Sequence, residues 1–282
     1  MKRIIGTIIT VLILSGLSLG LSSFITNHTN TQLTKQIPTD TPLPPLPDYF
    51  SDMPLPETAT VTTAPTQSEN RILYTLDRYY NVVPLNNSDN KKVVLLTIDD
   101  GPLNSKILDS ILTTLKEYDI HALFFVVGNK ASVNKELLKK IIDDGHTVGN
   151  HTWSHSDMKK MSLATAKSEI TRTNTFLAPY MPNNTVRFFR PPYGNYTDAI
   201  KTYAQEQGLL FMTWSLGGED WLKKYQSPEA LTSHVLSGVA PGSNILLHEH
   251  RWTSEALPGI IQGLLEKGYT IIDPNDIISA QE

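Results

Sequence analysis

Past residue 91 the chain alternates short apolar runs with segments of helical period, and that alternation leaves few folds open. Val93–Ile98, Ala122–Val127, Thr147–Val148, Val186–Phe189, Leu209–Trp214, Asn244–Leu247 and Thr270–Ile272 read as strands. Between them Ser105–Tyr118, Glu136–Asp144, Leu163–Ala178, Asp198–Gln207, Pro228–Ser237 and Thr253–Lys267 read as helices, with glycine stops at Gly145, Gly208 and Gly268. In the first helix Ile107, Leu108, Ile111, Leu112 and Leu115 fall on one face. Strand–helix repeats make parallel strands with helices outside them. Seven strands are more than a small open sheet needs, so the expected fold is α/β, a distorted (β/α) barrel with about seven parallel strands. In such barrels chemistry gathers at the C-terminal ends of the strands.

The polar clusters lie at those ends. Val93-Val94-Leu95-Leu96-Thr97-Ile98 runs into Asp99-Asp100-Gly101-Pro102. His151 and His155 follow the third strand in Gly149-Asn150-His151-Thr152-Trp153-Ser154-His155. Arg190 follows the fourth strand, Asp220 the fifth and His248 the sixth. Two histidines at i, i+4 fall on one face of a helical turn and can grip one metal ion. Two imidazoles and one carboxylate leave a divalent ion with open positions, as a catalytic site requires, and leave the second carboxylate free to act as a base. Taken singly, each feature has a plain structural reading. Asp-Asp-Gly-Pro is an ordinary turn, a histidine pair can pack or face solvent, and Trp153, Trp214 and Trp221 can be core. Their joint occurrence at successive strand ends favours chemistry.

Composition removes competing classes. The 282 residues contain no cysteine, which excludes thiol catalysis, disulfides and cysteine-based metal sites; any metal must rest on His and carboxylate. A net charge of -4 gives no general case for nucleic-acid binding. At the N-terminus Met1-Lys2-Arg3 precedes an apolar stretch from Ile4 to about Leu21, so residues 1–24 read as a signal peptide or a membrane anchor. Residues 25–70, rich in Pro and Thr, read as a disordered linker, and residues 71–282 as the catalytic domain.

Thr97-Ile98-Asp99-Asp100-Gly101-Pro102, His151-Thr152-Trp153-Ser154-His155, Arg190-Pro191-Pro192-Tyr193-Gly194, Asp220-Trp221 and Leu246-Leu247-His248 resemble, in order, the five motifs of the polysaccharide deacetylases, carbohydrate esterase family 4. The resemblance covers about Lys92 to Ile272 and implies metal-dependent removal of acetyl groups from N-acetylated sugars. It implies Asp100, His151 and His155 as ligands of a metal, Zn2+ first, with other divalent ions such as Co2+ also possible. Asp99 would be the base, Arg190 its orienting partner, and the backbone N–H of Tyr193 an oxyanion donor. His248 would protonate the leaving amine with Asp220 behind it. Trp221, Leu246 and Pro192 would meet the substrate. Two departures stand out: Trp214-Ser215-Leu216-Gly217-Gly218-Glu219 has Ser and Gly where many relatives carry acidic residues, and Glu249-His250 follows His248 where Asp is common.

The expected protein is thus an exported or membrane-anchored N-deacetylase, a monomer near the cell wall. Its substrate would be an N-acetylhexosamine polymer, peptidoglycan before chitin-like oligomers. It would not bind nucleic acid, and it would meet the membrane through its N-terminal segment if that is uncleaved. Acetyl xylan, with an easier leaving group, is the same chemistry. A tethered glycan-binding protein without turnover is the rival of another class, and a small-molecule amidase is a third.

Overall fold

The computed structural model describes residues 72–85 and 92–279. The expected leader or anchor, the linker and Arg71 at the start of the catalytic unit lie outside the described residues. Among the described residues no helix is long and apolar enough to cross a membrane.

The chain opens with an antiparallel hairpin, β1 (Tyr74–Leu76) and β2 (Val82–Pro84). It then runs β3 (Val93–Asp99), α1 (Ser105–Glu117), β4 (Leu123–Val126), α2 (Gly128–Val133), α3 (Lys135–Asp143), β5 (Thr147–Asn150), α4 (Leu163–Leu177) and β6 (Phe188–Phe189). There follow α5 (Asp198–Glu206), β7 (Leu210–Phe211), β8 (Leu216–Gly217), α6 (Pro228–Gly238), β9 (Asn244–His248), α7 (Arg251–Glu266) and β10 (Thr270–Ile271). The main sheet has the order β7-β6-β5-β4-β3-β9-β8, with β10 beside the start of β3. Every pairing in it is parallel. The outermost strands of that order, β7 and β8, are joined by only residues 212–215, so the sheet curls into an incomplete barrel. The expected barrel of about seven parallel strands is the fold observed.

Side-chain alternation along the strands sorts the core into two layers. On β3, Val94, Leu96 and Ile98 join the cluster that packs sheet against helices, whereas Val93 and Leu95 join an inner cluster with Leu123, Phe125, Phe188 and Met212. All of β3 is buried, which explains why its apolar run does not alternate. The inner cluster includes Tyr74 and Val82, so the hairpin packs on the apolar end of the barrel interior. Gly149 lies on that inner face; a Cβ there would come within 2.7 Å of the Phe125 ring. Farther along β3 the inner positions become Thr97 and Asp99, both buried. The interior is therefore apolar below and polar at the C-terminal rim.

Helix starts follow their capping residues. Asn104 accepts from the N–H groups of Lys106 and Ile107, Ser162 from Thr165, and Ser227 from Ala230 ahead of a helix that opens on Pro228. Four elements go beyond the sequence expectation. The short α2, Gly-Asn-Lys-Ala-Ser-Val, has no apolar period. β8 has two residues and the hairpin strands three each, too few to show alternation.

Candidate active site

Parallel register sets the site's floor. Asp99 pairs with Phe125 on one side and His248 on the other, and Asn150 pairs with Val126 and Phe189. The strand ends are level, so Asp99, His151, Arg190 and His248 leave the sheet at one height and on its inner face.

Arg190 is the buried centre. It is fully buried, and Nη1 donates to Asp99 Oδ1 and Thr97 Oγ1, each at 2.7 Å. Nη2 donates to the Thr213 carbonyl at 2.8 Å and Asn244 Oδ1 at 3.1 Å, and the guanidinium lies 4.2 Å over the Phe125 ring. Burial pulls the Arg190 pKa down and Asp99 pushes it back up. Four acceptors and one counter-charge offset the cost of taking a guanidinium out of water. Thr213 belongs to the link between β7 and β8, so the same side chain ties the two sides of the barrel opening.

Asp100 turns the other way. With φ of 75° it takes a left-handed conformation, and Lys130 Nζ donates to its carbonyl at 3.0 Å. Its Oδ1 lies 2.8 Å from His155 Nε2 and 3.5 Å from His151 Nε2. Oδ1 is nevertheless buried without a hydrogen bond of acceptable geometry. Burial alone would raise the Asp100 pKa, but the two imidazoles, when protonated at Nε2, outweigh it and hold the carboxyl well below the usual range. His151 Nδ1 is 2.7 Å from the Arg190 carbonyl, which can only accept. Nδ1 therefore carries the proton, and Nε2 presents a lone pair to Asp100 and, at 3.6 Å, to Asp99. One carboxylate oxygen and two imidazole nitrogens converging at these spacings fit a divalent ion.

His151 and His155 do not share a helical turn, contrary to the reading from their spacing. They sit in a loop in which Thr152 (φ 66°) and His155 (φ 57°) are left-handed. Side chains take the loop N–H groups that a helix would direct to carbonyls. Asn150 Oδ1 accepts from Thr152, Thr152 Oγ1 from His155, and Glu169 Oε2 from Trp153 and Ser154. Trp153 packs against Phe176 and under Arg172 of α4. His146 is buried and its Nδ1 accepts from Ala122 N–H, away from the ligand cluster.

Opposite this cluster, His248 Nδ1 lies 2.6 Å from Asp220 Oδ1, while Asp220 Oδ2 accepts from the His248 N–H and from Thr253 Oγ1. Burial lowers the His248 pKa, but the Asp220 carboxylate, with Asp99 and Asp100 behind it, raises it further. Trp221, 44% exposed, meets the His248 ring edge to face at 5.4 Å. Leu246 and Pro192 are buried; Leu246 is two residues before His248 on the inner face of β9. Tyr193 has φ of 59° and lays its exposed ring against His155 at 4.8 Å.

Sequence reasoning missed the supporting residues. Thr97 and Asn244 could have been found as polar residues on the inner face of apolar strands. Glu249 was visible only as a departure. It is buried, and Oε1 accepts from Leu103 N–H at 3.1 Å and Asn104 N–H at 2.6 Å. The strand end bearing His248 is thus tied to the loop bearing Asp99 and Asp100. A Cβ on Gly101 would sit 2.4 Å from Glu249 Oε2. Glu249→Ala leaves two amides unpaired and should cost about 1–3 kcal/mol. Gly101→Ala should be destabilising alone and nearly neutral in the Glu249→Ala background. A coupling of ~0.5–3 kcal/mol in a denaturation double-mutant cycle checks this; additive effects would contradict it.

Residues 86–212 match the family model described as polysaccharide deacetylase. The chain is similar to the peptidoglycan-N-acetylglucosamine deacetylase PgdA of Listeria monocytogenes, at 33% identity over 190 residues, 66% of this chain. That match spans only 39% of the Listeria protein. The chain is also similar to the chitooligosaccharide deacetylase of Sinorhizobium fredii, at 34% identity over 156 residues, 55% of this chain and 71% of that protein. Among solved structures, a family 4 pseudoenzyme from Bacillus anthracis matches with a TM-score of 0.62 and 29% identity, over 69% of this chain and 71% of that one. The scaffold thus tolerates loss of chemistry, and the question of activity rests on this chain's own side chains. By sequence and by fold, the chain belongs to the polysaccharide deacetylase family, carbohydrate esterase family 4.

Proposed function

We propose that the protein is a metal-dependent hydrolase that removes N-acetyl groups from N-acetylhexosamine residues of a cell-wall or surface polysaccharide, with peptidoglycan as the first candidate. The observation that carries this reading is the pairing of two sites across one barrel mouth. On one side Asp100, His151 and His155 converge beside a buried Asp99–Arg190 pair; on the other stands His248 backed by Asp220. A pseudoenzyme has no need of both halves. The names of the peptidoglycan and chitooligosaccharide deacetylases it resembles support the substrate class.

Asp100, His151 and His155 would hold the metal, with zinc the best match to one oxygen and two nitrogen donors. When bound, a divalent ion makes water more acidic and polarises a carbonyl oxygen. Asp99, oriented by Arg190, accepts the proton of the water that attacks the acetyl carbon. The backbone N–H of Tyr193 helps to hold the oxygen that gains charge. His248 gives its proton to the nitrogen as the C–N bond breaks, because an amine leaves poorly as an anion. Trp221, Leu246 and Pro192 shape the pocket for the acetyl methyl and the sugar face. Residues 1–24 would export or anchor the chain, and residues 25–70 would let the catalytic unit reach the wall outside the cytoplasm.

The test is acetate release from peptidoglycan, chitin oligomers and acetyl xylan side by side, with chelator and then with added zinc. Chelator-sensitive, zinc-restored release from the N-acetylated glycans is expected. Release from acetyl xylan alone would make the protein an O-esterase, and glycan binding that survives chelation without release would make it a tethered lectin. Within the same assay Asp220→Asn should shift the alkaline limb of kcat/KM to lower pH. His248 works in its protonated form, the Asp220 carboxylate raises its pKa, and removing that charge lets the proton leave sooner. An unmoved limb would assign it to another group.

A further inference from the structure

We propose a second divalent-cation site, formed by Asp220, His248 and His250, through which excess metal silences the proton donor. Two groups of three among the described residues bring one ligand atom each within 4.8 Å of the others. One is Asp100, His151 and His155; the other is Asp220, His248 and His250. His250 has no part in the reaction proposed above.

Its position follows from the chain path after β9. The His250 N–H donates to the His248 carbonyl at 2.8 Å, a tight turn that sends Glu249 toward the Leu103 and Asn104 amides. The two imidazoles are left side by side, with centroids 5.7 Å apart and planes 34° apart. His250 is stacked on Trp252 at 4.7 Å, and Trp252 Nε1 donates to the Asp220 carbonyl at 2.8 Å. The ring is therefore held in place by an indole that is itself anchored to another member of the cluster. Among the described residues neither ring nitrogen of His250 has a hydrogen-bond partner, and the residue is half-buried, so a lone pair is available.

One carboxylate oxygen and two imidazole nitrogens suit zinc, with water as the fourth ligand. Two donors on one tetrahedral zinc ion stand roughly 3.3 Å apart. Asp220 Oδ1 and His248 Nδ1 are closer than that, at 2.6 Å, and share a proton. Loading the site breaks that N–H bond, forms an N–metal bond and releases the proton to solvent. The first cluster stands nearer that spacing, at 2.8 and 3.5 Å, and its carboxylate is not committed to three donors as Asp220 is, so the second site is the weaker one and fills only at excess metal. With Nδ1 of His248 bound to metal, the ring keeps only the Nε2 proton of a neutral imidazole, too weak an acid to give it to the leaving amine. This inhibitory consequence rests on the deacetylase reading; the binding itself does not.

The full-length chain, stripped of metal, is titrated with Zn2+ against a chelating indicator. Two equivalents of unequal affinity are expected. His250→Gln and His250→Phe, the latter keeping the stack on Trp252, should lose the weaker equivalent, and Asp100→Ala the tighter one. Loss of one protein ligand should raise the half-inhibitory zinc concentration in acetate release at least ~10-fold, with the rate at one equivalent unchanged. A single equivalent in the wild type, or a weaker equivalent that survives in both His250 variants, overturns the site. Inhibition that persists once the second equivalent is gone overturns its regulatory role. If no glycan is turned over, the deacetylase reading fails while the titration still decides the site.

Discussion

Asp100→Ala should lose metal and turnover together, whereas Asp99→Asn should keep the metal and lose turnover by about 10²–10⁴-fold. The two carboxylates are adjacent in sequence but oppositely placed. Asp99 is buried, with Oδ1 committed to Arg190 at 2.7 Å. Asp100 turns through a positive φ to bring Oδ1 to the two histidine Nε2 atoms. Deleting the Asp100 carboxylate leaves two imidazoles, too few for a stable site. Asn at 99 keeps the shape and a hydrogen bond to Arg190 but cannot take a proton. Metal content by elemental analysis, read beside acetate release, separates the two. Metal loss in Asp99→Asn, or turnover in either variant, would reverse the assignment.

Arg190→Met should cost about 3–5 kcal/mol of stability, because it leaves the Asp99 charge buried without its partner. The loss extends beyond Asp99. Thr97, Asn244 and the Thr213 carbonyl each lose a donor, and the barrel opening between β7 and β8 loses the side chain that spans it. At ~2–4 °C per kcal/mol for a domain of this size, melting should fall by roughly 6–20 °C. Arg190→Lys should recover little, since a single ammonium cannot reach both Nη1 and Nη2 partners. Arg190→Met combined with Asp99→Asn should regain part of the loss. If the double variant is no more stable than Arg190→Met alone, the buried charge is not what Arg190 compensates.

Much of this was legible along the chain. The apolar run Val93–Ile98, the helical spacing of Ile107 to Leu115 and the glycine stops depend on neighbours in sequence, and the structure places strands and helices there. The five polar clusters at strand ends were legible for the same reason, since a parallel strand exposes its last residues at one rim. The His151–His155 loop was not. An i, i+4 spacing suggests a helical turn, but Asn150, Thr152 and Glu169 satisfy the loop amides in a left-handed path, and Glu169 comes from the next helix.

The order of residues by itself determined the strand–helix alternation, the supply of His and carboxylate donors in a chain without cysteine, and the resemblance that named the family. Periodicity and composition are local properties and survive without a fold. Only the tertiary structure decided how those donors are divided. Register set Asp99 level with His248, Arg190 claimed Asp99 and left Asp100 to the histidines, and Glu249 bound the loop of one half to the strand of the other. Each of these joins residues about 50 or more positions apart in sequence, a separation at which no local pattern carries information and only packing and hydrogen-bond geometry can choose the partner.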